Sequence, residues 1–434
     1  MPFLLHVQIE IDGSFVEAGT ITGNDSRDAV FTYDSAYAEN PLLRPVSLSF
    51  PKQASSFSPA ATRNFFEGLL PEGFTRRFIA KTLHADSSDY ISILRELGGE
   101  CIGAIKIVDK TRELPAAGYR RLTADDILAL AAEGATRSVD LVVKSHLSLA
   151  GASGKAGLYY DEPTKTWYQP TGDAPSTHIV KQSHIRLANI VTNEQLCLQT
   201  AKKLGITIPS AFILTTGDPA GRKDTVGLPA FDDSSVLFVT GRYDRYFPSN
   251  AQSIEGLPVP RRLHQEDFAQ ALGIPAEEKY EKPGNDYLQK IFRCILTNSA
   301  NPMADALELW RICIFNYLVG NTDNHIKNIS LLYSGDMRSI RLAPAYDIVS
   351  TVVYPSGTEE MSLSINKKTD INTISKEDYL AEAKRLGMGR GFISDIFDEL
   401  SEGFRSALLS TSEELEAEGL TAAPALAEKI LSIR

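Results

Sequence analysis

An α+β fold in more than one part is the class this sequence predicts, and three observations predict it. At 434 residues the chain exceeds what one hydrophobic core comfortably serves, so two or three domains are expected. Residues 3–50 alternate short apolar runs with polar or glycine turns, the pattern of an antiparallel meander. From Leu263 onward the apolar residues recur at helical spacing instead.

Composition narrows the class. Hydrophobic content of 43% and charged content of 23% describe an ordinary globular chain. A net charge of −11 and a pI near 5.3 argue against a broad nucleic-acid footprint, leaving only local basic patches such as Arg261-Arg262. Cys101, Cys197, Cys294 and Cys313 show no CxxC or CxxH spacing, so no zinc site or disulfide frame is expected, and they read as buried thiols in a reducing compartment. The stretch Met1–His6 lacks the basic and apolar regions of a signal peptide. No run of about 18 apolar residues marks a membrane span. A cytoplasmic protein without a membrane partner is the expectation.

Taken in order, Phe3–Ile11, Phe15–Ile21, Val30–Tyr33 and Val46–Phe50 read as strands. Helices follow from Pro59 to Leu70, from Phe74 to Leu83 and from Ile91 to Leu97, and Ile102–Val108 reads as a closing strand. Residues 1–110 thus form a small α+β domain with no catalytic set, read as a docking or packing module. A linker and helix occupy 111–140.

Gly151, Gly154 and Gly157 recur at steps of three around Lys155, a loop whose backbone N–H groups could close on phosphate oxygens. It is neither a Walker A sequence nor G-x-G-x-x-G, and alone it is a weak signal, since small-residue turns between strands are common. A hairpin through Leu158–Tyr160 and Lys165–Tyr168 follows, and Thr177–Lys181 is a β-branched strand ending in lysine. Glu194 opens an amphipathic helix and is the natural partner of Lys181, although a first-turn glutamate also suits the helix dipole. Thr240-Gly-Arg-Tyr-Asp-Arg245, with Thr240 and Arg242, reads as a connection whose backbone could contact adenine. Helices are expected at Asp286–Thr297, Ala304–Leu318, Lys376–Leu386, Arg390–Leu409 and Ser412–Ile433.

The stretch Asn321-Thr-Asp-Asn-His-Ile-Lys-Asn328 then supplies chemistry. It reads D-x-H-x-x-N, with Asp347 in a Tyr-Asp pair 24 positions beyond Asp323. Phosphoryl transfer requires a carboxylate at the attacking hydroxyl, an Asn on the metal and a second Asp bridging metal and phosphate. The protein-kinase loop has the same Asp-to-Asn step of five that separates Asp323 from Asn328. His325 either steers this chemistry or caps a backbone carbonyl. The order of Gly loop, Lys181, Glu194, Asp323, Asn328 and Asp347 predicts a bilobal protein-kinase-like fold, with a β-rich N-lobe over 141–245 and an all-helical C-lobe over 246–434.

The chain resembles the HipA-type serine/threonine-protein kinase toxins of bacterial toxin–antitoxin systems. Arg44–Pro51, Asn64–Pro71 and Gly103-Ala104 carry the resemblance in the N-terminal part. Ser148–Lys155, Thr177–Lys181, Asn193-Glu194, Gln265–Asp267, Lys279-Tyr280-Glu281, Asn321–Ser330 and Pro344–Ser350 carry it beyond. It implies ATP and Mg2+ as cofactors. Lys181 would hold the α/β-phosphates beneath a loop of Ala150, Gly151, Ala152, Ser153, Gly154 and Lys155. Asp323 would be the base, and Asn328 and Asp347 the metal ligands. It further implies autophosphorylation at Ser148, with Ser153 the alternative, because a dianion there would compete with ATP for the loop. The implied partners are a helix-turn-helix, HipB-like antitoxin that makes most of the operator-DNA contact, and a protein substrate, with an aminoacyl-tRNA synthetase as family precedent. Two departures stand out: Ser153-Gly154 replace the family's Gln-Glu, and Thr240-Gly replace the usual start of the E-R-F-D connection. A lipid or small-molecule kinase, or a catalytically silent regulatory subunit, are the rival expectations.

Overall fold

The structure, a computed structural model, describes residues 2–112, 115–132, 154–183, 187–215 and 235–433. Two compact units emerge. The first comprises Met1–Gln182, Val239–Ala276 and Leu331–Ile340, and the second Ser183–Phe238, Glu277–Ser330 and Arg341–Arg434.

In the first unit, β1 (Phe3–Ile11), β2 (Ser14–Gly23), β3 (Val30–Tyr33) and β4 (Ile105–Val108) form an antiparallel sheet of order β3-β2-β1-β4. The helix Pro59–Phe66 begins with proline, and the Ser58 side chain caps it by accepting from the Ala61 N–H. Phe65 and Phe66 then bury against Phe31 and Phe50. Val46–Phe50, expected as a strand, is a series of turns. Its backbone is satisfied by a side chain instead: the Tyr33 hydroxyl accepts from Val46 N and donates to Phe50 O. The apolar run was a core signal, not a strand signal.

A second antiparallel arrangement in this unit runs β5 (Gly118–Arg121), β7 (Thr166–Thr171), β6 (Lys155–Asp161), β8 (His178–Gln182). The next strand, Val236–Gly241, passes from the second unit into the first, where the Arg242 N–H donates to Thr177 O at 2.9 Å.

A buried ion cluster shows why residues 1–108 and 239–262 share a unit. Glu100, 1% exposed, accepts from Arg242 at 2.7 Å, from Arg245 at 3.0 Å and from Arg262 at 3.1 Å. Asp244 binds Arg242 at 2.7 Å and Arg245 at 2.9 Å, and accepts the Gly103 N–H at 2.7 Å. Burial pushes both carboxyls up, but the facing guanidinium groups win: Glu100 lies below its ordinary range and Asp244 falls to about 2. The unit boundaries therefore follow these contacts, not the linear order expected from the sequence.

The second unit is mainly helical: Ile190–Lys203, Tyr287–Asn298, Pro302–Val319, Lys376–Arg385, Arg390–Ala417 and Ala423–Ser432. A core including Leu196, Phe238, Phe315, Phe404 and Leu408 binds several of them together. The break expected near Ser410 is absent and one 28-residue helix runs through. Thr411 and Ser412 donate to Ala407 O and Leu409 O, so their hydroxyls are satisfied within a continuous helix. A hairpin of Glu360–Ile365 and Lys368–Asp370 adds a small β element. No helix among the described residues is long and apolar enough to cross a membrane.

Candidate active site

The helix Pro302–Val319 ends at Gly320, whose φ of +72° is the left-handed C-terminal stop that glycine adopts without strain. A Cβ at Gly320 would meet Val352 Cγ2 at 2.3 Å, so the space also demands glycine. The loop that follows is held from several sides. Asn321 donates to the Asn316 side chain at 2.7 Å and accepts from Asp323 N at 3.0 Å. Thr322 N donates to Thr351 Oγ1 at 2.8 Å. The Thr322 carbonyl accepts from both Ser362 N, at 3.0 Å, and Ser362 Oγ, at 2.6 Å. The Asp323 carbonyl accepts from His325 N at 2.8 Å and from Asn328 Nδ2 at 2.9 Å. Asp323 itself is exposed, and its Oδ1 accepts a hydrogen bond from the Tyr280 hydroxyl at 2.8 Å. A rigid loop thus presents a carboxylate outward.

Because Asn328 directs its amide nitrogen at the Asp323 carbonyl, its amide oxygen is the group left to face elsewhere. Asp347 lies on the neighbouring segment. The Tyr346 hydroxyl donates to Lys327 O at 2.9 Å and pairs with Ser330 Oγ at 2.6 Å, and Ala343 N donates to Ser330 O. Asp347 has a φ of +57°, an uncommon conformation that aspartate tolerates better than most residues and that accumulates at functional sites. An amide oxygen with a carboxylate oxygen is a donor set that hard divalent cations such as Mg2+ prefer. Among the described residues no group of three or more His, Cys, Asp or Glu forms a metal centre, so a metal held here would rely on Asn328 and Asp347 together with water or phosphate ligands. His325 is buried, with its ring edge-on to Tyr280 at 5.4 Å and 80°.

Lys181 stands on β8 directly across from Lys155 on β6. Like charges in facing positions weaken a strand pair unless an anion lies between them. This pairing of two expected phosphate ligands is a consequence of register that spacing alone did not reveal. Glu194 is buried on the helix Ile190–Lys203. Its neighbour Asn193 exchanges hydrogen bonds with Ser350 in both directions, at 3.0 Å each, and so anchors the segment that carries Asp347. Thr240 is half-buried on the strand Val236–Gly241. Gly154 is described and half-buried, whereas Ser148, Ala150, Gly151, Ala152 and Ser153 lie outside the described residues.

Arg242 requires a correction. Its guanidinium is engaged by Glu100, Asp244, Ser176 and the Cys101 carbonyl, and its backbone N–H by Thr177. It organises the interior of the first unit and has no donor left for a nucleotide. Three residues with a part in the site had no role assigned from sequence: Asn193, Tyr280 and Ser362. The first two lie in short stretches that carry the family resemblance; nothing in the sequence marked Ser362.

A mixed α/β first unit bearing the facing lysines, together with a helical unit presenting Asp323, Asn328 and Asp347, defines a kinase-like α+β protein. The chain belongs to the HipA family: the HipA-like C-terminal domain matches residues 147–408 and the HipA N-terminal domain residues 10–108. Among its relatives, "Putative kinase Y4mE" of Sinorhizobium fredii is 31% identical over 415 residues, covering 93% of this chain and 91% of that protein. The "Serine/threonine-protein kinase toxin HipA" of Shewanella oneidensis is 26% identical over 361 residues, 80% of this chain and 76% of the relative. The solved Shewanella oneidensis complex of HipA, HipB and its operator DNA matches with a TM-score of 0.75 at 22% identity, covering 99% of this chain and 96% of that one. At that identity the likeness concerns the fold.

Proposed function

We propose that this protein is an ATP- and Mg2+-dependent serine/threonine protein kinase that acts as a HipA-like toxin. The observation that carries the reading is the Asp323 loop, in which three hydrogen bonds hold the backbone of Asp323 while its carboxylate faces outward. In the transfer, the acceptor hydroxyl oxygen bonds to the γ-phosphorus, the bond to the β,γ-bridging oxygen breaks, and ADP leaves. Asp323 orients the acceptor and takes its proton. Lys181, with Lys155 opposite, would balance phosphate charge, and Glu194 would orient Lys181. A Mg2+ held by Asn328 and Asp347 would supply neutralisation of the developing charge. Thr240 would line the nucleotide by its backbone. The target is a cytosolic protein, with an aminoacyl-tRNA synthetase as family precedent, so that phosphorylation arrests translation and growth. Phosphate on Ser148, or on Ser153, would switch the loop Ala150–Lys155 off. A HipB-like helix-turn-helix antitoxin, bound to operator DNA, is the partner this reading requires; the acidic chain, at −11, suits DNA contact made mainly through that partner.

The test is incubation with Mg-[γ-32P]ATP beside an Asp323→Ala variant. Label on the protein is expected for the wild type only, with mass spectrometry locating it on Ser148. A wild type that takes no label under any condition and releases no phosphate from ATP overturns the reading.

A further inference from the structure

Tyr280 has no part in the proposed transfer, yet its hydroxyl meets the carboxylate expected to receive the acceptor's proton. The distance from Tyr280 Oη to Asp323 Oδ1 is 2.8 Å, and the residue is 49% exposed. This contact is built, because both sides hang on one strand. Glu281, next in sequence, donates its N–H to Ser362 O at 3.1 Å, and its carboxylate accepts from Ser364 N at 2.5 Å and Tyr287 N at 2.7 Å. Ser362 also holds the Thr322 carbonyl, immediately before Asp323. The strand Glu360–Ile365 therefore sets the phenol and the carboxylate at a fixed separation. The ring is further placed edge-on to His325 and under Lys279 Nζ, 5.5 Å from its centroid.

Asp323 does not depend on the phenol for its position, since Asn321, His325 and Asn328 already fix its backbone. What the phenol contributes is a hydroxyl donor at the place where an acceptor hydroxyl would donate. Without an acceptor, an exposed Asp323 would serve water as readily as serine. Water oxygen would then bond to the γ-phosphorus, ADP would leave, the proton would pass to Asp323, and ATP would be lost as inorganic phosphate.

We infer that Tyr280 is a selectivity residue, a resident stand-in for the acceptor that occupies Asp323 until a protein hydroxyl displaces it, thereby suppressing transfer to water. The inference rests on the kinase reading above. It has a readout that a merely structural role would not move, the partition of ATP between water and protein. Tyr280→Phe keeps the ring and its contacts and removes only the hydroxyl. In the full-length protein with Mg-ATP, this variant is expected to release inorganic phosphate about tenfold faster than the wild type, a difference of about 1.4 kcal/mol. Label incorporated into the chain per ATP consumed should fall, while the melting temperature stays at the wild-type value. Tyr280→Leu should shift the partition in the same direction, and Tyr280→Phe combined with Asp323→Ala should return release to background. Asp323-dependent phosphate release by Tyr280→Phe at or below the wild-type rate overturns the role of Tyr280 alone. No phosphate release and no label from any form overturns the kinase reading, and this inference with it.

Discussion

The Glu100 cluster in the first unit and the Asp323 loop in the second are both built around carboxylates, and they handle charge in opposite ways. Glu100 is sealed from water, and three arginines face it at 2.7–3.1 Å. Asp323 is fixed through its backbone, and its carboxylate lies at the surface, where Oδ1 accepts from the Tyr280 hydroxyl at 2.8 Å. A carboxylate surrounded by guanidinium groups is locked as a structural anion. One whose backbone is held by Asn321, His325 and Asn328 sets its side chain at the surface instead. The same logic holds the Arg242 guanidinium in the interior, engaged by Glu100, Asp244 and the Cys101 carbonyl.

That contrast predicts which measurements each substitution moves. Asp323→Ala should lower phosphate transfer by about 1,000-fold, in the range that general bases contribute, with no shift in melting temperature. Loss of stability instead would erase the distinction. Glu100→Ala should cost about 3–5 kcal/mol in urea denaturation, because buried guanidinium groups lose their anion.

Glu266 offers an intermediate case. It is buried, accepts from Ser47 Oγ, Leu48 N and the Tyr333 hydroxyl, and burial pushes it up to about 7. A folded-state value raised above the unfolded one makes its stabilising contribution complete below about 4.5 and lost as pH rises through about 7. The wild-type unfolding free energy should therefore fall between pH 5 and pH 8 relative to Glu266→Gln, by an amount on the order of 3 kcal/mol, and the melting temperature with it. Parallel curves for the two proteins would refute this. The smallest effect is expected for Ser362→Ala, which removes one hydroxyl from the Thr322 carbonyl and leaves the Ser362 N–H in place. About 1 kcal/mol of stability is expected to go. Transfer activity should drop with it if the strand Glu360–Ile365 sets the position of Asp323.

How far the sequence carried depends on whether a feature is local. The helices around Pro302–Val319, and the loop from Asn321 to Asn328, follow from spacing and from glycine at 320, both of which are written within a few residues. Val46–Phe50 departs from the expected strand because an apolar run reports burial, and burial can be met by turns when Tyr33 supplies the hydrogen bonds. The helix runs on through Ser410, where two helices are expected, because the Thr411 and Ser412 hydroxyls bond back to the preceding turn.

By itself, then, the sequence determined the α+β class and the family, and it singled out Asp323, Asn328 and Asp347 as candidates, because these depend on short patterns and residue chemistry. Only the tertiary structure decided that Arg242 belongs to Glu100, that Lys155 faces Lys181, and that Tyr280 reaches Asp323. Those pairs are separated by 142, 26 and 43 positions. Contacts at such range are set by strand register and by the closure of a shared core, which no local pattern encodes.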